Sequence, residues 1–150
     1  MTQPGDSGPE REVLVELVLR TFRLNGMFLQ VAEGLARPAG LTAAWWQVLG
    51  AVLREPLTVA GIAREMGLAR QSVQRVADLL VDNGLAEYRA NPAHARAKLL
   101  APTRAGWDAI DKLRGNALAW AGEITAVVGE ADLRDTVEVM QRLIDALSAD

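Results

Sequence analysis

Over residues 10–36, apolar side chains recur three and four positions apart: Val13, Leu14, Leu17, Val18, Phe22, Leu24, Phe28, Val31 and Leu35. That spacing is the period of one helix face and predicts a long helix, which Pro38 and Gly40 close. Thr42 opens a second helix, running through Trp46, Val48, Leu49 and Leu53 to a stop near Pro56. Thr58 opens a short third, through Val59, Ile62, Ala63 and Met66 to Gly67. Both threonines stand at N-caps, where a side-chain oxygen accepts a hydrogen bond from the first turn. A fourth helix is expected over residues 69–83, closed by Gly84.

Two short extended runs follow, residues 85–89 and 97–101, with Asn91, Pro92 and Ala93 as a turn between them. Together they predict a hairpin. Its alanines lower strand propensity, and Pro102 at its end fits only an edge position. Two helices complete the pattern, residues 104–128 and 131–147. The second carries Leu133, Val137, Met140, Ile144 and Leu147 on one stripe.

A helix, a tight turn at Gly67, a second helix and then a hairpin make a winged helix-turn-helix. The expected fold is therefore mainly α: about six helices and a two-stranded β-hairpin wing. The 150 residues suit one domain. Within it, residues 41–104 are expected to form the winged lobe. Residues 10–40 and 105–150 are expected to form a second lobe, whose apolar stripes exceed what a small winged lobe can cover and predict a homodimer. Residues 1–9, with their Gly, Pro and Ser, are expected to be disordered.

Composition narrows the chemistry. Half of the chain is hydrophobic, so a packed core is expected. No apolar run approaches the ~20 residues that span a membrane, and the N-terminus lacks a signal-peptide pattern; a cytoplasmic protein is expected. The chain has no cysteine and one histidine, His94. Disulfides, a thiol redox sensor and a transition-metal site are thereby disfavoured, and no cofactor is expected. Neither a Gly-rich phosphate loop nor a serine with an evident base is present, so an enzyme is not expected.

The formal charge is −3, but it is unevenly spread. From Arg54 to Arg104 there are eight basic and five acidic residues, net +3. From Ala105 onward there are four basic and nine acidic, net −5. A basic middle suits a surface that meets phosphates.

The fourth helix sharpens that reading. At roughly 100° per residue, Arg70, Gln71, Gln74, Arg75 and Asp78 share one arc, with Ser72 near the edge of the other. Val73, Val76, Ala77, Leu79 and Leu80 fill the opposite side. Arg donates two hydrogen bonds to guanine and Gln pairs both ways with adenine, from the N-terminal turns of a recognition helix. In the hairpin, Arg96 lies at the tip with Lys98 and Arg89 on its flanks; Arg96 suits a minor groove and Lys98 suits phosphate. A solvated charged edge explains Lys98 equally well. The rival to DNA binding is a winged helix used for protein contact.

These segments resemble the MarR family, the multiple-antibiotic-resistance type of bacterial regulators. "LTAAWWQVLGAVL" is similar to the family's second helix. "LTVAGIAREMGLARQSVQRVADLLVDNGLAEYR" is similar to its helix-turn-helix running into the wing, and "NPAHARAKLLAPTRAG" to the wing and the start of the fifth helix. The resemblance implies a homodimer of the terminal helices and palindromic operators in double-stranded DNA. It also implies a repressor that a small, often aromatic, ligand releases. It assigns Arg70, Gln71, Ser72, Gln74 and Arg75 to the recognition helix and Arg96 to the wing tip. Asn91, His94 and Ala95 depart from the family's wing pattern and predict a less basic, less rigidly held wing. Ala69 replaces the usual capping Ser, and Gly61 and Trp45 replace the acid or amide of a capping box.

There are four tryptophans. Trp45, Trp46 and Trp120 are candidates to line an aromatic-ligand pocket between the lobes, against ordinary packing. A regulator that senses no ligand is the remaining alternative. His94 reads first as an exposed loop residue and second as a pH switch in the wing.

Overall fold

The computed structural model describes residues 8–149. The expected disorder of residues 1–7 lies outside them. Pro9, expected to be disordered, instead begins the first helix, α1 (Pro9–Ala36), where its fixed φ and missing N–H suit the first turn. A 3₁₀ turn, Arg37–Ala39, follows and ends at Gly40 in the left-handed region, φ 75°.

The next helix, α2 (Ala43–Ala51), stops five residues short of Pro56. The chain leaves it through a tightened last turn, Val52 N–H to Leu49 O. It then enters a strand that the sequence pattern did not reveal, β1 (Leu57–Thr58). Two helices follow, α3 (Val59–Met66) and α4 (Arg70–Asp82). Then come β2 (Ala86–Arg89), β3 (Leu99–Pro102), α5 (Arg104–Val128) and α6 (Glu130–Ser148).

The sheet therefore has three strands rather than the expected two, antiparallel in the order β1-β3-β2. This puts Pro102 in the central strand. The ladder shows why it is tolerated. Thr103 N–H donates to Leu85 O, so alternation turns residues 101 and 99 toward β2 and residues 100 and 102 away from it. On that far side β1 pairs only with Leu99 and Leu100. Pro102 lacks its N–H where no strand would accept one, and is an edge residue in effect.

The caps behave as their chemistry requires. Thr42 Oγ1 accepts from Trp45 N–H at 3.1 Å, and Thr58 Oγ1 from Gly61 N–H at 3.0 Å. A second group reaches the start of α2: Glu33 of α1 accepts from Ala43 N–H at 2.8 Å. Gly67 ends α3 at φ 63°, and the following Leu68 N–H reaches back to Ala63 O. This left-handed closure turns the chain sharply into α4.

By their internal packing the residues fall into two units, which divide inside α5 between Ile110 and Asp111. In the first, α2, α3 and α4 pack on one another and β2 packs on α4. Leu49, Ile62, Val73, Leu80 and Leu100 are fully buried there. The start of α5 is fastened to the same core. Thr103 Oγ1 donates to Gly84 O at 2.6 Å and accepts from Gly106 N–H at 3.2 Å. Gly106 has no room for a side chain, since a Cβ there would stand 2.1 Å from Leu85 O. The second unit holds the rest of α5 and α6, joined through Gly129 at φ 99°. No residue of α6 is buried. Among the described residues no helix is long and apolar enough to cross a membrane.

Candidate nucleic-acid interface

The partition of α4 follows the helix period except at Leu79, expected on the apolar side but exposed at 39%, where it and Ser72 lie at the edge of the buried stripe. Val73, Val76, Ala77 and Leu80 are buried, while Arg70, Gln71, Ser72, Gln74, Arg75 and Asp78 are exposed. Ala69 caps the helix with extended backbone but no side-chain bond. The helix is thus held by its apolar face rather than by its first turn.

Beside α4 lies a groove of about 550 Å³. Arg70, Gln71 and Gln74 line it from α4, Tyr88 from β2, and Arg96, Ala97 and Lys98 from the wing loop. Thr58, Val59 and Ala60, at the start of α3, complete its wall. Five of the expected DNA-contacting residues therefore converge on one concavity. Ser72 and Arg75 are exposed on α4 without lining it.

The wing loop has its own fastening. Asn91 Oδ1 accepts from Ala93 N–H at 3.0 Å, and Asn91 O from His94 N–H at 3.2 Å. Asn91 thus makes the side-chain turn that an Asp would make, which opposes the loose wing expected from the departures. His94 is exposed. Arg89 pairs with Glu87 at 2.9 Å, both about half exposed, so its charge is partly answered within the strand.

Tyr88 went unnoticed in the sequence. Its hydroxyl donates to Asp78 Oδ1 at 2.5 Å, and Gln74 Nε2 donates to Asp78 Oδ1 and to Tyr88 Oη, each at 3.0 Å. Burial pushes the Tyr88 phenol up to about 12, helped by the hydrogen bond to Asp78 and by its negative charge. No local signal announces this triangle, because it joins residues ten and fourteen positions apart.

The candidate ligand residues lie elsewhere. Trp45 and Trp46 are half-buried on α2, and Trp120 is half-buried on α5 in the second unit. No tryptophan lines the groove beside α4. Among the described residues no group of three His, Cys, Asp or Glu could hold a metal ion.

A helix-turn-helix with a basic outer face, followed by a hairpin that brings Arg and Lys to the same groove, defines a winged helix-turn-helix protein. A MarR-family model matches residues 39–97. The chain is 37% identical to the uncharacterized protein Rv2011c of Mycobacterium tuberculosis, over 91% of this chain and 96% of that one. Among solved structures it is similar to the M. tuberculosis transcriptional regulator MosR in complex with DNA, with a TM-score of 0.70 and 24% identity, over 87% of this chain and 97% of that one. It is likewise similar to CouR from Rhodococcus jostii RHA1 bound to p-coumaroyl-CoA, with a TM-score of 0.75 and 22% identity, over 85% and 90%. The chain belongs to the MarR family, whose members are transcription regulators and not enzymes.

Proposed function

We propose that the chain is a cytoplasmic, sequence-specific DNA-binding repressor. It works as a homodimer on a palindromic operator and is released by a small aromatic effector. The observation that carries the DNA-binding part is the groove, where Arg70, Gln71 and Gln74 of α4 meet Arg96 and Lys98 of the wing. Arg70, Gln71, Ser72, Gln74 and Arg75 are the base- and phosphate-contacting set of α4, while Arg96 and Lys98 engage the adjacent backbone or minor groove. That the structurally similar MosR is in complex with DNA supports DNA as the ligand of this fold.

On this reading residues 10–40 and 105–150 mediate dimerisation, and residues 41–104 bind DNA. Large apolar side chains left exposed within one chain support this, Phe22 at 69% and Leu147 at 85% among them. A second copy of the chain is the partner that covers them. The two α4 helices then stand about 34 Å apart, one turn of DNA.

The p-coumaroyl-CoA held by CouR supports an aromatic effector as such, for which Trp45, Trp46 and Trp120 are the candidate residues read from the sequence. The effector binds better to a dimer whose winged lobes have the wrong spacing, and so lowers DNA affinity. Occupancy of a promoter suffices for repression.

A second reading, a winged helix for protein contact, draws on the net charge of −3 and on the Arg89–Glu87 pair. Salt separates the two, since each neutralised phosphate releases counterion. The purified protein is titrated with its own upstream DNA and with scrambled DNA at several salt concentrations. Tight, selective, salt-sensitive binding that Arg70→Ala with Arg75→Ala abolishes is expected. Weak binding, equal on both DNAs, overturns the reading in favour of protein contact. Tryptophan emission, followed across a panel of aromatic acids and their thioesters, tests the effector. No saturable change across the panel leaves a regulator without one.

A further inference from the structure

Tyr88 belongs to the first strand of the wing, yet its hydroxyl rests on the recognition helix. What it does there follows from donor and acceptor counting. An ionised carboxylate only accepts hydrogen bonds. The Tyr88 hydroxyl gives its one proton to Asp78, so toward Gln74 it offers only lone pairs. Both neighbours therefore require the nitrogen end of the Gln74 amide, and the network fixes which way the amide faces. With Nε2 engaged by Asp78 and Tyr88, Oε1 is the atom left for a further partner.

A glutamine that rotates freely offers a base both a donor and an acceptor. Gln74 held in this way offers an acceptor alone. We propose that Tyr88 and Asp78 are positioning residues that determine specificity: they fix Gln74 as an acceptor, so that the base facing it in each half-site is adenine or cytosine. In the major groove those bases present an amino group, at N6 and N4 respectively, whereas guanine and thymine present acceptors. Oε1 would meet the latter pair acceptor to acceptor. The inference rests on the DNA-binding reading above and deepens it. The proton on which it depends is secure, because burial and Asp78 hold the phenol up to about 12.

The test is selection from a random-sequence duplex pool by the full-length chain and by Tyr88→Phe, which keeps the ring and removes the hydroxyl. The unsubstituted chain is expected to enrich a single base pair at one position of each half-site, whose adenine or cytosine is the base that faces Gln74. Tyr88→Phe should relax that position on the order of 10-fold and leave its neighbours unchanged. The selected duplex is then remade with the amino group deleted, purine for adenine or 2-pyrimidinone for cytosine. The unsubstituted chain should lose affinity about 10-fold, and Gln74→Ala should be indifferent to the change. This second arm leaves the chain unaltered, so it holds even if Tyr88→Phe misfolds. Enrichment that Tyr88→Phe leaves unchanged, or indifference of the unsubstituted chain to the missing amino group, overturns the inference alone. No enrichment by the unsubstituted chain overturns the DNA-binding reading and the inference with it.

Discussion

Helices α4 and α6 carry apolar stripes of similar period, but the stripes have opposite fates. In α4, Val73, Val76, Ala77 and Leu80 are all buried against the chain's own core. In α6, no residue is buried, and Val137, Met140, Ile144 and Leu147 remain exposed. A stripe is therefore a demand for cover and does not say who meets it. Around α4 the demand is met within one chain, and the polar face is left for a ligand. Along α1 and α6 it is unmet, which is the physical argument for a second copy.

The sharpest way to break the first half of this contrast is at Gly106. A methyl group there would stand 2.1 Å from Leu85 O, far inside contact distance, and the obstacle is backbone rather than a flexible side chain. Gly106→Ala should destabilise the winged unit by about 3 kcal/mol or more. Denaturant unfolding of the full chain measures this. A loss under about 1 kcal/mol would mean that the start of α5 is not seated on Leu85 as described.

The second half of the contrast breaks on α6. Val137 and Ile144 are 65% and 53% exposed in one chain, so a charge there costs little until a partner covers it. Val137→Asp with Ile144→Asp should weaken self-association on the order of 100-fold, because a dimer would have to desolvate both carboxylates. Sedimentation at micromolar concentration should show a dimer for the unsubstituted chain and a monomer for the variant, with helix content kept. An unchanged dimer would mean that α6 lies outside the interface.

A smaller change sharpens the description of α4. Ala69 has the extended backbone of an N-cap and no side chain able to fill the role. Ala69→Ser should add about 1 kcal/mol of stability. The expected gain is an upward shift in the denaturant midpoint. No shift would mean that packing against α3 already determines the first turn.

The sequence made the partition of α4 legible, Leu79 at the stripe's edge excepted, because burial there follows the helix period, and Arg70, Gln71 and Gln74 needed only that period to be found. It made Thr42 and Thr58 legible as caps because a cap is a three-residue pattern. Strand β1 escaped because two residues are too few to show alternation, and its pairing with Leu99 and Leu100 is long-range. Gly106 appeared only as a glycine near the start of a helix. The carbonyl that forbids any other residue belongs to Leu85, which the chain reaches through the whole wing. Tyr88 escaped for the same reason: its meaning lies in Asp78 and Gln74, on another element.

The finest test of the contrast follows the Tyr88 proton. Its phenol is raised from 10.0 to about 12, first by burial and then by Asp78. In the unfolded chain neither cause operates, so the group titrates near its ordinary value of about 10. Between pH 10 and 12 the unfolded chain has lost a proton that the folded chain keeps. The contribution of Tyr88 to stability is thus complete below pH 10 and lost as pH rises through 12. Tyr88 is the chain's one tyrosine, so phenolate absorbance reports it without ambiguity. The titration midpoint should lie near 12 in the native protein and move down in Asp78→Asn, which removes the charge but keeps an acceptor. The fall in stability across this window should be shallower in Tyr88→Phe. A native midpoint at the ordinary value would mean that the hydroxyl is not held between Asp78 and Gln74.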